Sequence, residues 1–205
     1  MELKEAIKKR RSIRSFTNEE VKTAEIKEIL QIASYAPSIN NSQAWEFILI
    51  KNKILLQKMA ESVKTVLNKI EKSDNQNSEQ IMKKVEWYST FFKDAPALIT
   101  IIQKNYSTEI ENAIKLSKSE INELRNYPDI QSAGALIQNI LLTALDFGYG
   151  TCWLSSPSIA GTELETLLNV IEGKKVLAFV AIGKPLTTPQ IPEIKNIDEV
   201  FTVIE

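Results

Sequence analysis

Arg10, Ser12 and Arg14 alternate in a stretch that opens with four consecutive cations, Lys8, Lys9, Arg10 and Arg11. In extended backbone, alternate side chains point the same way. Two guanidinium forks and a hydroxyl on one side match the oxygens of a phosphate, with room for a nearby electron-rich ring. A solvated basic face is the other reading of the same residues. A second polar cluster, Pro37-Ser38-Ile39-Asn40-Asn41-Ser42-Gln43, joins a helix to a strand. Loops held by rigid neighbours commonly bind ligands, although an ordinary connector has this composition too. A third, Ser155-Ser156-Pro157, closes a short apolar strand and makes a candidate site wall. Lys184 stands at a strand terminus, and Lys195 lies in a proline-flanked linker.

The elements that must position these groups are legible from periodicity. The stretch from Ile130 to Pro157 organises the chain. Ala133, Leu136, Ile137, Ile140, Leu141, Ala144 and Leu145 recur at helical spacing and leave little polar surface, so this helix is expected to be buried on most sides. Gly148 is placed to cap it, and Tyr149 to Leu154 reads as a buried strand. Before it, short helices are expected over Glu2–Lys9 and around Ile26–Ala33, the latter stopped by Pro37. Trp45–Ile50 reads as a buried strand and Pro96–Ile102 as a central one. Residues 52–94 read as helical with a polar break at Ser73–Ser78, and 107–126 as a surface helix or a mobile segment. A helix closed by Gly173, a strand from Val176 to Ile182 and a possible terminal strand over Glu199–Ile204 complete the series. Such a tail can pair with a neighbouring subunit's sheet edge. The sum is a mixed α+β layer architecture in one domain, residues 1–205.

Composition narrows the chemistry. With 205 residues, 43% hydrophobic and 25% charged, the chain is of ordinary domain size with a real core. A formal net charge of -1 argues against nucleic-acid binding through bulk positive charge. A single cysteine excludes an intrachain disulfide framework and points to a cytoplasmic protein. Cys152 itself reads as a buried structural thiol, since nothing cationic adjoins it in sequence. The charged N-terminus lacks the apolar core of a signal peptide, and no apolar run is long enough to span a membrane. There is no histidine. Ser-His-Asp triads, Cys-His dyads and histidine-bearing zinc sites are therefore excluded, and no metal is expected. A cofactor that carries the reaction itself fits that absence. GxGxxG and GxxxxGK[ST] motifs are both missing, so neither a dinucleotide-binding unit nor a P-loop is supported.

Taken together, four segments resemble the nitroreductase family of FMN-dependent oxidoreductases. Arg10-Arg11-Ser12-Ile13-Arg14-Ser15-Phe16 resembles its R-x-S-x-R/K-x-F stretch. Ala36-Pro37-Ser38 with Asn41, Gln43 and Trp45 resembles its A-P-S-x-x-N-x-Q-P-W loop. Gln138-Asn139 and then Gly148-Tyr149-Gly150-Thr151-Cys152-Trp153 resemble its Q-N-L-L-L-A-A … G-L-G-[ST]-C-W segment. Ala181-Ile182-Gly183-Lys184-Pro185 resembles its final strand and I-G-x-P ending. All four occur in order across nearly the whole chain, whereas the helical, variable excursion around 55–125 carries little of the match.

The resemblance implies a central, mostly antiparallel sheet flanked by helices, in an intertwined homodimer with two FMN sites at the subunit interface. It implies that Arg10 and Lys195 hold the phosphate, with Arg11 and Ser12 nearby, and that Arg14 lies by the N1–C2 carbonyl edge of the ring. Pro37, Ser38, Ile39 and Asn41 come from the other subunit, Leu154, Ser155 and Ser156 line the ring near N5, and Lys184 joins the cofactor-binding set. No side chain is expected to be catalytic, because the flavin carries the chemistry. NADH or NADPH is the implied donor, a nitroaromatic, quinone or similar small molecule the acceptor, with no nucleic acid or membrane as partner. Three departures from the family pattern bear on substrate: Ala44 replaces a usual proline, Ser132 a frequent aspartate, and Ser155-Ser156 a common glycine-containing pair. Two alternatives stay open: a same-fold FMN enzyme of other chemistry, such as reductive dehalogenation or flavin breakdown, and a flavin-binding protein without turnover. Tyr88, Phe91, Phe92 and Tyr127 are candidates for the flavin's open face.

Overall fold

A computed structural model describes residues 1–107 and 109–205. Helices α1 (Leu3–Lys9) and α2 (Thr23–Ala33) precede strand β1 (Trp45–Ile50). Helices α3 (Lys53–Lys69) and α4 (Ser78–Thr90) lead to β2 (Ala97–Gln103). The short α5 (Glu109–Ala113) and α6 (Lys118–Leu124) come before the long α7 (Pro128–Asp146), followed by β3 (Gly150–Leu154), α8 (Gly161–Leu167) and β4 (Lys175–Gly183). The strands form one antiparallel sheet in the order β1-β2-β4-β3.

Strand alternation sorts the core into two layers. Leu98 and Ile102 of β2, with Phe179 and Ala181 of β4, meet Leu56, Met59 and Val63 of α3 on one face. Ala97, Ile99 and Ile101, with Ala178, Val180 and Ile182, meet α2 and the Leu136–Ala144 stripe of α7 on the other. Both central strands are apolar on both faces because both faces are covered. The expected burial of α7 is met, and Asn139 Nδ2 ties it to the Ala33 carbonyl of α2 at 3.3 Å.

The end of α7 is closed by backbone geometry. Gly148 adopts φ 74°, Tyr149 N–H donates to the Ala144 carbonyl at 2.8 Å, and Gly148 N–H to that of Leu145 at 2.9 Å. This paired closure needs a left-handed residue, and glycine enters that region without the Cβ penalty. Lys184 Nζ donates to the Phe147 and Gly148 carbonyls at 3.3 and 3.1 Å and sits 4.3 Å from the Tyr149 ring centroid. A cation there complements the helix dipole.

Several expectations differ from the structure. The segment Glu199–Ile204 forms no strand, only a single turn at Ile197–Glu199, because among the described residues no strand pairs with it to complete a ladder. Strand β1 is an edge strand whose inner residues are half-buried, not a buried strand: its apolar run faces a helix layer only in part. The predicted 107–126 helix is two short helices, and Thr108 within that span lies outside the described residues.

The buried Tyr149 links these layers. Its hydroxyl donates to Glu25 Oε2 at 2.5 Å and accepts from Lys22 N–H at 3.3 Å. The Tyr149 hydrogen bond, and then one that Lys22 Nζ donates to Glu25 Oε1 at 2.9 Å, holds the Glu25 carboxyl below its ordinary value of 4.5. A depressed carboxyl contributes stability that is present above its unfolded value and lost as pH falls through the folded one. Tyr149→Phe is therefore expected to lower stability at neutral pH. Urea unfolding at a series of pH values checks this: the gap between wild type and variant narrows as pH drops below 4.5.

Candidate functional site

The basic stretch after α1 is fixed as extended backbone along the outer edge of β3. Ser12 bridges Thr151, Ile13 N–H donates to the Thr151 carbonyl at 2.9 Å, and Phe16 bridges Pro185. Ile13 turns inward and is buried. A Cβ on Gly150 would meet Ile13 Cγ1 at 2.7 Å, so the two backbones lie flush only because residue 150 has no side chain.

With Ile13 inward, its neighbours in the alternation face the other way and converge on β3. The Cys152 thiol is pushed up by burial, while Arg14, a hydrogen bond with Ser12, and Arg10 pull against it. Cations remote in sequence thus adjoin this thiol in space, although its burial is as expected. Arg14 lies over the Tyr88 ring, 5.2 Å from its centroid, and Ser156 Oγ donates to the Tyr88 carbonyl at 3.3 Å. Tyr88 meets Trp87 edge-on, and Trp87 stacks on the buried Phe91, which anchors this aromatic support to the core. Among the described residues, no carboxylate lies within ion-pair distance of Arg10 or Arg14. Donors without an acidic partner form a set suited to an anion.

Other predicted members sit elsewhere. Arg11 is turned back on α1, its Nη1 donating to the Lys8 and Arg10 carbonyls at 2.8 and 2.5 Å. Lys184 is engaged at the end of α7, as described. Leu154 points its side chain into the core, so only its backbone is available to a ligand, whereas Ser155 and Ser156 are exposed. Lys195 lies in the exposed segment that follows β4.

Pro37, Ser38, Ile39 and Asn41 belong to a tight loop that leads into β1. Asn40, Asn41 and Gln43 take φ values of 49°, 52° and 44°, a region asparagine tolerates better than most residues. Ser38 Oγ accepts from Gln43 N–H at 3.1 Å, and Ser132 Oγ of α7 accepts from Ile39 N–H at 3.2 Å. Ser132 thus supplies the acceptor that an aspartate would also supply. The loop and the first turns of α7 enclose a cleft of about 470 Å³.

The two groups lie toward opposite edges of the sheet. The arginine stretch runs along β3, the loop enters β1, and three strand spacings, about 14 Å, separate those edges. Sequence reasoning did not find Arg125, which lines the loop cleft. No motif marks it; it ends α6, three residues before Pro128 opens α7.

A model of the nitroreductase family matches residues 7–184, and the chain belongs to that family. A protein of Hydra vulgaris described as iodotyrosine deiodinase is 28% identical over 197 residues, covering 91% of this chain and 66% of that relative. The chain thus spans just under two thirds of that protein's length. The solved structure of a BluB-like flavoprotein from Clostridium difficile 630 matches with a TM-score of 0.88 and 31% identity, over all of both chains. A nitroreductase with bound FMN from Desulfitobacterium hafniense DCB-2 matches with a TM-score of 0.73 and 25% identity, over 98% and 97% of the two chains.

The flush contact at Gly150 yields a prediction. Gly150→Ala forces the arginine stretch away from β3 and is expected to cost about 1–3 kcal/mol. Urea unfolding measures that loss, and limited trypsin digestion should cut faster after Arg10, Arg11 and Arg14. Unchanged stability and digestion would show that the stretch is held by other contacts.

Proposed function

We propose that the chain is an FMN-dependent oxidoreductase that takes electrons from NADH or NADPH and passes them to a nitroaromatic, quinone or similar acceptor. The observation that carries this reading is the convergence of Arg10, Ser12 and Arg14 beside β3, without acidic partners, next to the Ser155-Ser156 corner. The donor set fits a phosphate together with a ring that gains negative charge on reduction. When bound, FMN supplies the hydride acceptance and delivery that an imidazole-free chain does not.

In this reading Arg10 and Ser12 hold the phosphate, with Lys195 reaching it from the tail. Arg14 stabilises charge at the N1–C2 edge, and the Tyr88 ring keeps its guanidinium in place. Backbone N–H groups of the Leu154–Ser156 corner would be the donors offered to the ring near N5. Arg11 and Lys184 act at one remove, closing α1 and α7 beside the site. Protons come from solvent, in keeping with the absence of histidine.

Pro37, Ser38, Ile39 and Asn41 complete the site from a second copy, because within one protomer they lie toward the far sheet edge from Arg14. Two features support a homodimer. Leu186, Ile191, Ile194, Ile197, Phe201 and Ile204 are all more than 60% exposed on the segment after β4, more apolar surface than a free tail normally shows. The outer edge of β1 has no strand beside it among the described residues.

Reductive dehalogenation is the second reading, favoured by the likeness to the Hydra vulgaris protein. Halide release from 3-iodotyrosine by the reduced protein separates it from nitro or quinone reduction. A flavin binder without turnover is the remaining alternative.

Anaerobic addition of NADH and NADPH to the FMN-loaded protein tests the enzyme reading. Bleaching near 450 nm (roughly where any oxidised flavin absorbs), reversed by an acceptor, is expected. A protein that binds no FMN sinks the cofactor assignment, and one that binds but does not bleach is a binder. Arg14→Ala is expected to weaken FMN binding or slow bleaching about tenfold or more; unchanged affinity and rate refute its role. Removal of residues 190–205 should give a monomer by sedimentation, with weakened FMN binding.

A further inference from the structure

We propose that the cleft between the Pro37–Asn40 loop and the start of α7 recognises the electron acceptor, and that Arg125 selects acceptors carrying a negative charge. The class is small planar aromatics bearing a carboxylate, sulfonate or phenolate. The inference rests on the reading above, in which this loop faces the flavin of a second copy.

The cleft is of ligand size, about 470 Å³. Arg125 is the only charged side chain among its lining residues, the others being apolar or neutral polar groups such as Ser38, Asn40 and Ser132. Glu123, two residues before Arg125, is exposed and forms no ion pair with it among the described residues, and Asp129, four residues after it, lies behind Ser38, Ile39 and Ser132 with its carboxylate engaged by other groups. Its carboxylate accepts from Gln103 Nε2, from Asn122 Nδ2 at 3.5 Å and from Ile130 N–H at 2.9 Å. Among the described residues Arg125 makes no ion pair, although six join other groups. A guanidinium that forms no ion pair, set in a wall whose other described members are neutral, offers its donors to an anion and favours a planar carboxylate.

The backbone that presents Arg125 is fixed. Asn126 and Tyr127 both take φ of 53°, a costly conformation for two successive non-glycine residues. Two bonds hold it: Tyr127 N–H donates to the Asn122 carbonyl at 2.6 Å, and Gln131 Nε2 to that of Asn126 at 2.7 Å. Gln131 is itself a wall of the cleft. The turn that carries the cation is thus locked to the wall it serves.

Benzoate and benzamide have nearly the same shape and differ in charge, so each is titrated into the FMN-loaded protein. Binding is followed by the flavin difference spectrum and, independently of the flavin, by calorimetry. Benzoate is expected to bind at least tenfold more tightly than benzamide. Arg125→Gln, at an exposed position that burdens folding little, should weaken benzoate tenfold or more and move benzamide less than twofold; Arg125→Lys should keep part of the preference. Equal binding of the two ligands, no binding of either, or a preference that survives Arg125→Gln overturns the proposal. A protein that takes up no FMN defeats the flavin reading instead, and the calorimetric comparison still decides the role of Arg125.

Discussion

The structure depends on how one irregular stretch of chain meets one sheet edge. β3 is the last strand on its side, and its outer backbone groups must find partners. Ser12 and Ile13 supply them in part at Thr151, and Thr17 N–H ties the same stretch to the Lys184 carbonyl just past β4. The contact is close because Gly150 has no Cβ, and close backbone contact leaves Ile13 one way to point. Its burial fixes the alternation, which turns Ser12 and Arg14 away from Ile13 and toward Cys152, with Arg10 nearby at the end of α1. The chemical character of this edge thus follows from a steric condition at a single glycine.

Much of this was legible in the sequence, because it is written in short-range pattern. The apolar spacing of α7, the glycine at its end and the apolar runs of β2 and β4 are local signals of burial, and the chain folds as they indicate. The order of the strands, by contrast, depends on which runs find helix layers on both faces. Trp45–Ile50 is as apolar as the central strands, yet lies at the edge, half-covered. Element ends failed for the same reason at Glu199–Ile204, where a strand needs a neighbour and none pairs with it among the described residues.

The site divides along the same line. Alternation predicted that Arg10, Ser12 and Arg14 would share a side; all three act on Cys152, while Arg10 also lines the cleft that Ile13 faces. Arg11 and Lys184 carry the same charge, but each donates to carbonyl groups at a helix end, an engagement invisible in residue type. Cys152 has no cation beside it in sequence and two beside it in space. Tyr88 and Arg125 come from the variable excursion and its margin, where no motif guides the eye; tertiary packing brings Tyr88 to Arg14, and a tight turn into α7 brings Arg125 to its cleft.

The separation of the arginine stretch and the Pro37–Asn41 loop by the width of the sheet has a genetic consequence. If sites form between copies as proposed, each one draws its cations from one chain and its loop from the other. A copy damaged at Arg14 and a copy damaged at Asn41 each fail alone, since every site in their homodimers carries a defect. Mixed, they form heterodimers in which one site collects both defects and the other collects none. Two inactive alleles in one cell would then complement each other, to no more than about a quarter of the wild-type number of intact sites under random pairing.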